Sequence, residues 1–155
     1  MNIVWAGSKE PMLCRALIQW TSRMIWPEHP NKELPDGIAM GVFEDDTIAG
    51  CVVFHNWEPD AGVIEMSAAA QSRRWLTRKA LDEMFEYAFR TVGVQMAVTR
   101  VSAREGQKHL HRIFRAYGFD EIRIPRLYGR EEDGILFMLT DDKWKRSKFY
   151  RSEVA

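Results

Sequence analysis

The sequence predicts one domain of the α/β or α+β class, with helices flanking a central mixed and mostly antiparallel sheet. The chain has 155 residues, the length of a single domain, and no linker or repeat divides residues 1–155. Apolar residues make up 46% and charged residues 28%, as in globular proteins rather than disordered chains. The elements follow the order β-α-β-β-β-α-β-α-β-β, which combines an antiparallel meander with a strand–helix–strand crossover that favours a parallel pair.

The first half of the chain predicts four strands and one helix. Residues 2–6 form a short strand that the segment from Gly7 to Pro11 interrupts. Apolar residues from Met12 to Trp26 follow helical spacing, and three prolines then end that helix. The meander strands are Ile38–Glu44, Thr47–Trp57 and Val63–Ala70. The middle strand is apolar on both faces, which places it centrally in the sheet.

The second half begins with the clearest helix, which runs from about Thr77, its predicted N-cap, to Val92. A strand at Gln95–Ser102 follows, and then a helix at Gly106–Tyr117 that Gly118 caps. The last predicted elements are a strand pair, Asp120–Ile124 and Ile135–Leu139, joined by a turn-rich link and followed by a charged tail from Asp141.

Composition excludes several classes of function. The 22 basic and 22 acidic residues balance, which argues against a protein that lives mainly on nucleic acid. No apolar run approaches the ~18 residues of a membrane span, and the first residues lack the pattern of a signal peptide. Cys14 and Cys51 show no metal-binding spacing, so we interpret both as reduced core thiols of a cytoplasmic protein. Hydrolase, kinase and dinucleotide-binding motifs are missing from the sequence.

A basic loop between a strand and a helix is the most informative segment. The strand ends in small residues, and Arg73, Arg74, Arg78 and Lys79 surround the start of the helix. Free backbone N–H groups and the helix dipole attract anions at such a position. The segment therefore predicts a pyrophosphate site, although a solvated basic loop explains the same residues.

Several segments resemble the GNAT superfamily of N-acetyltransferases, which use acetyl-coenzyme A. Ile48–Phe54 and Gly62–Ser67 are similar to the third and fourth strands of that family. Residues 72–81 stand where the family binds pyrophosphate, and Arg112–Phe119 resembles its late helix ending in Gly-Phe. Gly134–Leu139 is similar to its last strand. The Trp-Leu-Thr-Arg and Gly-Phe forms are most similar to the ribosomal-protein-acetylating branch and its small-molecule relatives.

The resemblance implies transfer of an acetyl group from acetyl-coenzyme A to a primary amine by direct attack on the thioester, without a metal. The implied coenzyme contacts are Met66, Ser67, Ala68, Ala69, Arg73, Arg74, Trp75, Leu76, Thr77, Arg78, Lys79, Gln107 and Phe114. The sequence departs from the family at three points. Thr77 and Lys79 replace glycines of the family's loop if Arg74 is its first residue. Gln107 stands where the family often has an Asn. Phe114 stands where the family often has a Tyr that serves as general acid.

Three residues are candidates for the catalytic work. Glu65 is the first choice as general base, because its strand resembles the one that often carries a catalytic Glu. His55 is the second choice, because its ordinary pKa suits proton transfer. Ser67 shares a strand face with Glu65 and is expected to position a water. An ion-paired Glu65 and a merely structural His55 explain the same residues, and no histidine has the spacing of a metal ligand.

The acceptor is expected to be a small-molecule or peptide amine. In the family it binds between the first helices and the late strands, near Trp5, Trp20, Trp26 and Trp57, for which core packing is the alternative. A second function stays open: a catalytically weak or inactive GNAT-like module that acts through a protein or RNA partner. The tail 143–151, which interleaves five cations with three aromatic residues, favours the RNA version. The family also permits a homodimer.

Overall fold

A computed structural model describes residues 1–148 and residue 150. The strands are β1 (Asn2–Ala6), β2 (Ile38–Glu44), β3 (Thr47–Glu58), β4 (Val63–Ala70), β5 (Met96–Ser102), β6 (Asp120–Gly129) and β7 (Glu132–Thr140). The α-helices are α1 (Pro11–Ile25), α2 (Arg78–Glu86), α3 (Lys108–Tyr117) and α4 (Asp141–Lys145). These elements confirm the predicted class, a mixed sheet with helices against it.

All seven strands form one sheet in the order β1-β2-β3-β4-β5-β7-β6. The strands β4 and β5 are parallel, and every other neighbouring pair is antiparallel. The crossover through α2 produces the parallel pair, as the order of elements predicts. The strand β3 lies inside the sheet, between β2 and β4, because both of its faces are apolar.

Two apolar layers lie on the two faces of the sheet, and the smaller one covers only the β1–β3 side of its face. Alternation along β3 sends Cys51 and Val53 to the α1 side and Val52 and Phe54 to the opposite side. The larger layer lies on the opposite side and includes residues of α2, α3 and α4. Cys14 and Cys51 are buried free thiols, which confirms their interpretation as reduced core residues.

Two helices differ from their predicted bounds. Thr77 caps α2 as predicted, since its hydroxyl accepts the Ala80 N–H at 3.1 Å. The helix changes at Glu86 into a π-helical turn over Tyr87–Val92, which ends at Gly93 with φ 84°. The helix predicted from Gly106 instead begins as a 3₁₀ turn over Glu105–Gln107, because glycine is a weak helix former.

The last two strands are longer than predicted. Their turn-rich link was expected to span residues 125–134, but β6 and β7 form a hairpin whose loop is only residues 130–131. The prediction was wrong here because Pro125 and the charged residues of β6 resemble a loop. An edge strand tolerates both, since its outer N–H groups have no strand to bond and its side chains face water.

The tail begins with α4 and packs against the π-helical turn. Trp144 is buried and stacks on Phe89 with ring centroids 5.0 Å apart. Trp144 is therefore a packing residue rather than a free surface for base stacking, whereas Phe149 and Arg151 lie outside the described residues. In the described part of the chain, no helix combines the length and apolar character needed to cross a membrane.

Candidate active site

The sheet opens into a fork where β4 and β5 separate. The two strands pair only between Val63–Glu65 and Met96–Val98. Beyond that point β4 continues along β3, and β5 continues along β7. Among the described residues, no strand pairs with the fork-facing edges of residues 66–70 and 99–102. The fork therefore offers free backbone N–H and C=O groups in the middle of the sheet.

Small side chains line the β4 edge of the fork. The strand ends in Ser67, Ala68, Ala69 and Ala70. Ala68 and Ala70 pack towards the α2 side, and Ser67 lies on the α1 side with Glu65. These side chains leave room for a narrow chain to run beside the strand, as the sequence predicts.

Glu65 lies at the base of the fork and already accepts three hydrogen bonds. Its Oε1 accepts Asn56 Nδ2 at 2.9 Å and Arg100 Nη2 at 3.3 Å, and its Oε2 accepts Arg100 Nε at 3.2 Å. Glu65 is only 9% exposed. Because Glu65 belongs to β4 and Arg100 to β5, their ion pair ties the two strands together where they diverge. Arg100 is not among the site residues predicted from the sequence, although a lone cation in an apolar strand is a usable signal.

His55 and Ser67 form a second polar pair beside Glu65. His55 Nε2 and Ser67 Oγ are 2.8 Å apart, and His55 is 4% exposed. Burial lowers the pKa of His55, the Glu65 carboxylate opposes this change, and the Arg100 guanidinium adds to it. The imidazole is therefore neutral near pH 7 and able to accept a proton. Its buried Nδ1 has no hydrogen-bond partner among the described residues.

A bulge in β3 explains how Asn56 reaches Glu65. The register of β3 against β4 shifts between His55 and Glu58, and Asn56 has φ 50°. Asparagine tolerates this left-handed conformation better than most residues. The distorted backbone places the Asn56 amide on the carboxylate, a contact that depends on the bulge and is not visible in the sequence.

The predicted coenzyme loop is anchored to the sheet. The Ala49 carbonyl accepts the N–H groups of Gln71 and Ser72 at 2.9 and 3.2 Å. The Trp75 side chain is buried and lies against Gly50, where an added Cβ would be 2.5 Å from the Trp75 ring. Trp75 therefore holds the loop in place, and its indole points into the core rather than towards a ligand.

The cations of this loop are exposed, as the anion-site hypothesis requires. Arg73 and Lys79 are exposed beside the start of α2. Arg74 is 3.5 Å from Glu44, and Arg78 is 3.3 Å from Asp82 and donates to the Lys148 carbonyl at 3.1 Å. The loop thus combines positive side chains with a helix start, although carboxylates offset part of the charge.

The structure does not bring Phe114 and Gln107 into the polar group of the fork. Phe114 packs in the core, 5.2 Å from Phe119 and 5.1 Å from Phe137 between ring centroids. Gln107 ends the 3₁₀ turn before α3 and is half-buried. Tyr117, three residues after Phe114, packs on Phe85 with ring centroids 4.4 Å apart.

His111 and three of the tryptophans serve the fold, whereas His29 and His109 are exposed. His111 is buried and donates to the Ser102 carbonyl at 2.8 Å. Trp5 stacks with Phe54 on the α2 side of the sheet, and Trp20 and Trp26 pack against the α1 layer. The exception is Trp57, which is 55% exposed. The described residues contain no group of three or more side chains placed to hold a metal ion.

Solved acetyltransferase structures share this fold. No protein-family model and no curated protein matches the sequence. The spermidine/spermine N-acetyltransferase SpeG from Vibrio cholerae covers 92% of this chain and 96% of its own, with TM-score 0.68 and 11% identity. A GNAT-family protein from Desulfovibrio desulfuricans covers 90% of this chain and 99% of its own, with TM-score 0.60 and 16% identity.

A third similar structure, yncA from Salmonella typhimurium, was solved with its cofactor acetyl-CoA. It covers 90% of this chain and 94% of its own, with TM-score 0.63 and 14% identity. For three other acetyltransferase structures the match spans less than two thirds of the neighbour's length, 62% to 63%. The chain therefore has the fold of the GNAT acetyltransferases, while these neighbours lend no support to the ribosomal-protein-acetylating branch.

Proposed function

We propose that the protein is an N-acetyltransferase that moves an acetyl group from acetyl-coenzyme A to a primary amine. The observation that carries this proposal is the fork. The buried, neutral His55 is hydrogen-bonded to Ser67 at the point where β4 and β5 separate and leave backbone groups unpaired. The acetyltransferase neighbours with the same fold support it. The buried thiols Cys14 and Cys51 favour a cytoplasmic setting, which we propose with it.

The residues around the fork suit acetyl-coenzyme A, which supplies the acetyl group as a reactive thioester. The free edge of Met66–Ala69 offers backbone groups for an extended, amide-containing arm, and its small side chains leave space. Arg73, Arg74, Arg78, Lys79 and the first N–H groups of α2 would hold the phosphates. Trp75 and Leu76 shape the loop, and Thr77 fixes where the helix begins.

The His55–Ser67 pair is proposed to take the proton from the attacking amine. An alkyl ammonium has a pKa near ~10, so the amine must lose a proton to attack a carbonyl carbon. Ser67 Oγ accepts a proton from the amine, directly or through a water, and passes its own to His55. The C–N bond then forms as the C–S bond breaks, the leaving thiolate takes up the second proton of the nitrogen, and His55 releases its proton to water.

Glu65 is proposed to position the site rather than to act as the base. Its two oxygens already accept three hydrogen bonds, two of them from a guanidinium. A proton arriving at Glu65 would break that ion pair. His55 has no such obstacle, because burial leaves its ring neutral and Ser67 connects it to the fork.

The free N–H groups at the fork are proposed to stabilise the negative charge that develops on the thioester oxygen. Fixed backbone donors near Met66 need no reorganisation during the reaction, and such donors are worth about 10²–10³ in rate.

Turnover of an amine panel tests the proposed function. Purified protein is mixed with acetyl-coenzyme A and with alkyl amines, spermidine, amino acids and short peptides, and the acetylated products are measured by mass spectrometry. We expect at least one amine to be acetylated at a rate above the reaction without protein. Folded protein that binds no acetyl-coenzyme A and acetylates none of them would favour the binding-module alternative.

A further inference from the structure

The strand β6 contains a bulge where it pairs with β7. The register of β6 against β7 breaks between Ile124 and Gly129, and Arg126 lies in the left-handed region with φ 62°. Asp133 fixes this shape: its Oδ1 accepts the Arg126 N–H and its Oδ2 accepts Arg123 Nε, both at 3.0 Å. Bulges redirect side chains and are frequent beside active sites. The bulge therefore determines where the side chains of Leu127 and Tyr128 lie.

Gly134 allows those two side chains to lie directly on β7. A Cβ added at Gly134 would be 2.6 Å from Leu127 Cδ2 and 2.9 Å from Tyr128 Cε2. Any other residue would push the bulge away from the strand. The ring of Tyr128 thus rests on the Gly134 backbone.

This position is on the same face of the sheet as Glu65 and Arg100. Ile135 and Phe137 of β7 point into the core beneath α2 and α3, so Gly134 and Leu136 face the opposite side. Gly134 pairs with Ser102 of β5, and Leu136 pairs with Arg100. Tyr128 therefore covers the β5 arm of the fork next to Arg100.

The charges around Tyr128 keep its hydroxyl a hydrogen-bond donor. Burial raises the pKa of the Tyr128 phenol, the Arg100 guanidinium lowers it in part, and the carboxylates of Glu65 and Glu132 raise it. The phenol therefore stays protonated at neutral pH. Arg100 is a donor as well: two of its five N–H groups bind Glu65, and about half of its side chain, 49%, is exposed.

We propose that Tyr128 and Arg100 together bind an oxygen of the acceptor, so that the acceptor is an amine with a neighbouring carbonyl or carboxylate, as in amino acids and peptide N-termini. The proposal rests on the proposed function and names its substrate class. A phenol hydroxyl and a neighbouring guanidinium on one face of the sheet can both donate to a carbonyl or carboxylate oxygen, and a guanidinium favours carboxylates in particular. A polyamine has no such oxygen, and its additional cations would be repelled by Arg100.

The test compares Tyr128→Phe with wild type on Gly-Gly, glycine and n-propylamine, three primary amines of which only n-propylamine lacks the oxygen. We expect wild type to prefer an oxygen-bearing acceptor, and Tyr128→Phe to lower kcat/KM for that acceptor about tenfold, mainly through KM, while the n-propylamine rate stays unchanged. Preference for Gly-Gly identifies a peptide carbonyl, and preference for glycine a free carboxylate. Tyr87→Phe is the matched control, because Tyr87 packs on Trp5 and Phe54 on the other face.

Three outcomes would overturn the inference. Tyr128→Phe could leave the Gly-Gly and glycine rates unchanged, or wild type could prefer spermidine and n-propylamine. Alternatively, calorimetry could find that neither Gly-Gly nor glycine binds to the protein saturated with coenzyme A. In each case, binding of acetyl-coenzyme A by wild type leaves the proposed function standing. Failure to bind acetyl-coenzyme A at all would remove the proposed function and this inference together.

Discussion

At the residue scale, the chemistry depends on which side chain accepts the amine proton. His55 is buried, neutral near pH 7 and 2.8 Å from Ser67. Glu65 is buried as well, but its carboxylate is the anchor of Asn56 and Arg100. These two arrangements lead to different pH dependences, so kinetics can separate them.

His55→Gln is expected to lower kcat/KM by about 10²-fold or more, since it removes the base but keeps a group that can bond Ser67. In wild type, His55 must be neutral to take the proton of the bound ammonium. The logarithm of kcat/KM should therefore rise with pH with a slope of about one below the pKa of His55 and level off above it. Because burial lowers that pKa, the break should lie below the ordinary value of 6.5. The break should vanish in His55→Gln and persist in a control, His109→Gln, which alters an exposed residue.

Glu65→Gln is expected to weaken the fold more than it changes the pH profile. The substitution removes the charge that holds Arg100, at a cost of about 1–2 kcal/mol in the free energy of unfolding, since half of Arg100 is exposed. Urea unfolding measures this loss. The break in the pH profile should persist but move to lower pH, because the carboxylate raises the pKa of His55. Loss of the break in Glu65→Gln, with His55→Gln unaffected, would instead make Glu65 the base.

Sequence alternation correctly places Glu65 and Ser67 on one face and Ile64 and Met66 on the other. The partners of Glu65 could not be predicted in the same way. Asn56 reaches it through a bulge, and Arg100 reaches it across a parallel strand pair, so both contacts depend on strand register rather than on local pattern.

At the element scale, the loop before α2 depends on one close packing contact. Gly50 lies under Trp75, and this contact fixes the loop against β3. The family's loop contains glycines that this loop lacks. In the structure, the glycine that matters for the loop is Gly50, in the strand β3 beneath it. Tertiary packing of this kind leaves no local signal in the sequence.

Gly50→Ala is expected to destabilise the protein by about 1–3 kcal/mol, because its Cβ would be 2.5 Å from the Trp75 ring. The displaced loop should also bind acetyl-coenzyme A more weakly in the fraction that folds. Gly106→Ala is the control, since no atom lies within 4 Å of its Cβ and the change should be neutral or slightly stabilising. Thermal unfolding and calorimetry measure both effects. Equal stability of the two variants would show that Trp75 does not anchor the loop.

The strand β6 near the end of the chain is harder to predict from the sequence than the strands β2 and β4. The strands β2 and β4 follow their predicted bounds, because each is a short apolar run between turn residues. The strand β6 contains Pro125 and mostly exposed residues, so its hydrophobic pattern is too weak to mark a strand. It forms because β7 pairs with it and Asp133 fixes its bulge.

At the scale of the whole molecule, the order of elements predicts the sheet and the crossover that creates the fork. The separation of β4 from β5 after Glu65 could not be read from either strand alone, because it arises from the way each strand follows its other neighbour. The fork is nevertheless the feature on which the proposed activity depends. Its most direct test is whether the protein binds the coenzyme there.

The decisive measurement is calorimetric titration of acetyl-coenzyme A into wild type and into a variant with Arg73, Arg74 and Arg78 changed to Ala. A second variant, with Lys9, Arg15 and Arg146 changed to Ala, removes the same charge from exposed cations outside the loop. We predict one site with micromolar affinity in wild type and the second variant, and affinity at least tenfold weaker in the first. No heat of binding with folded wild type, or equal affinity in all three proteins, would contradict the account.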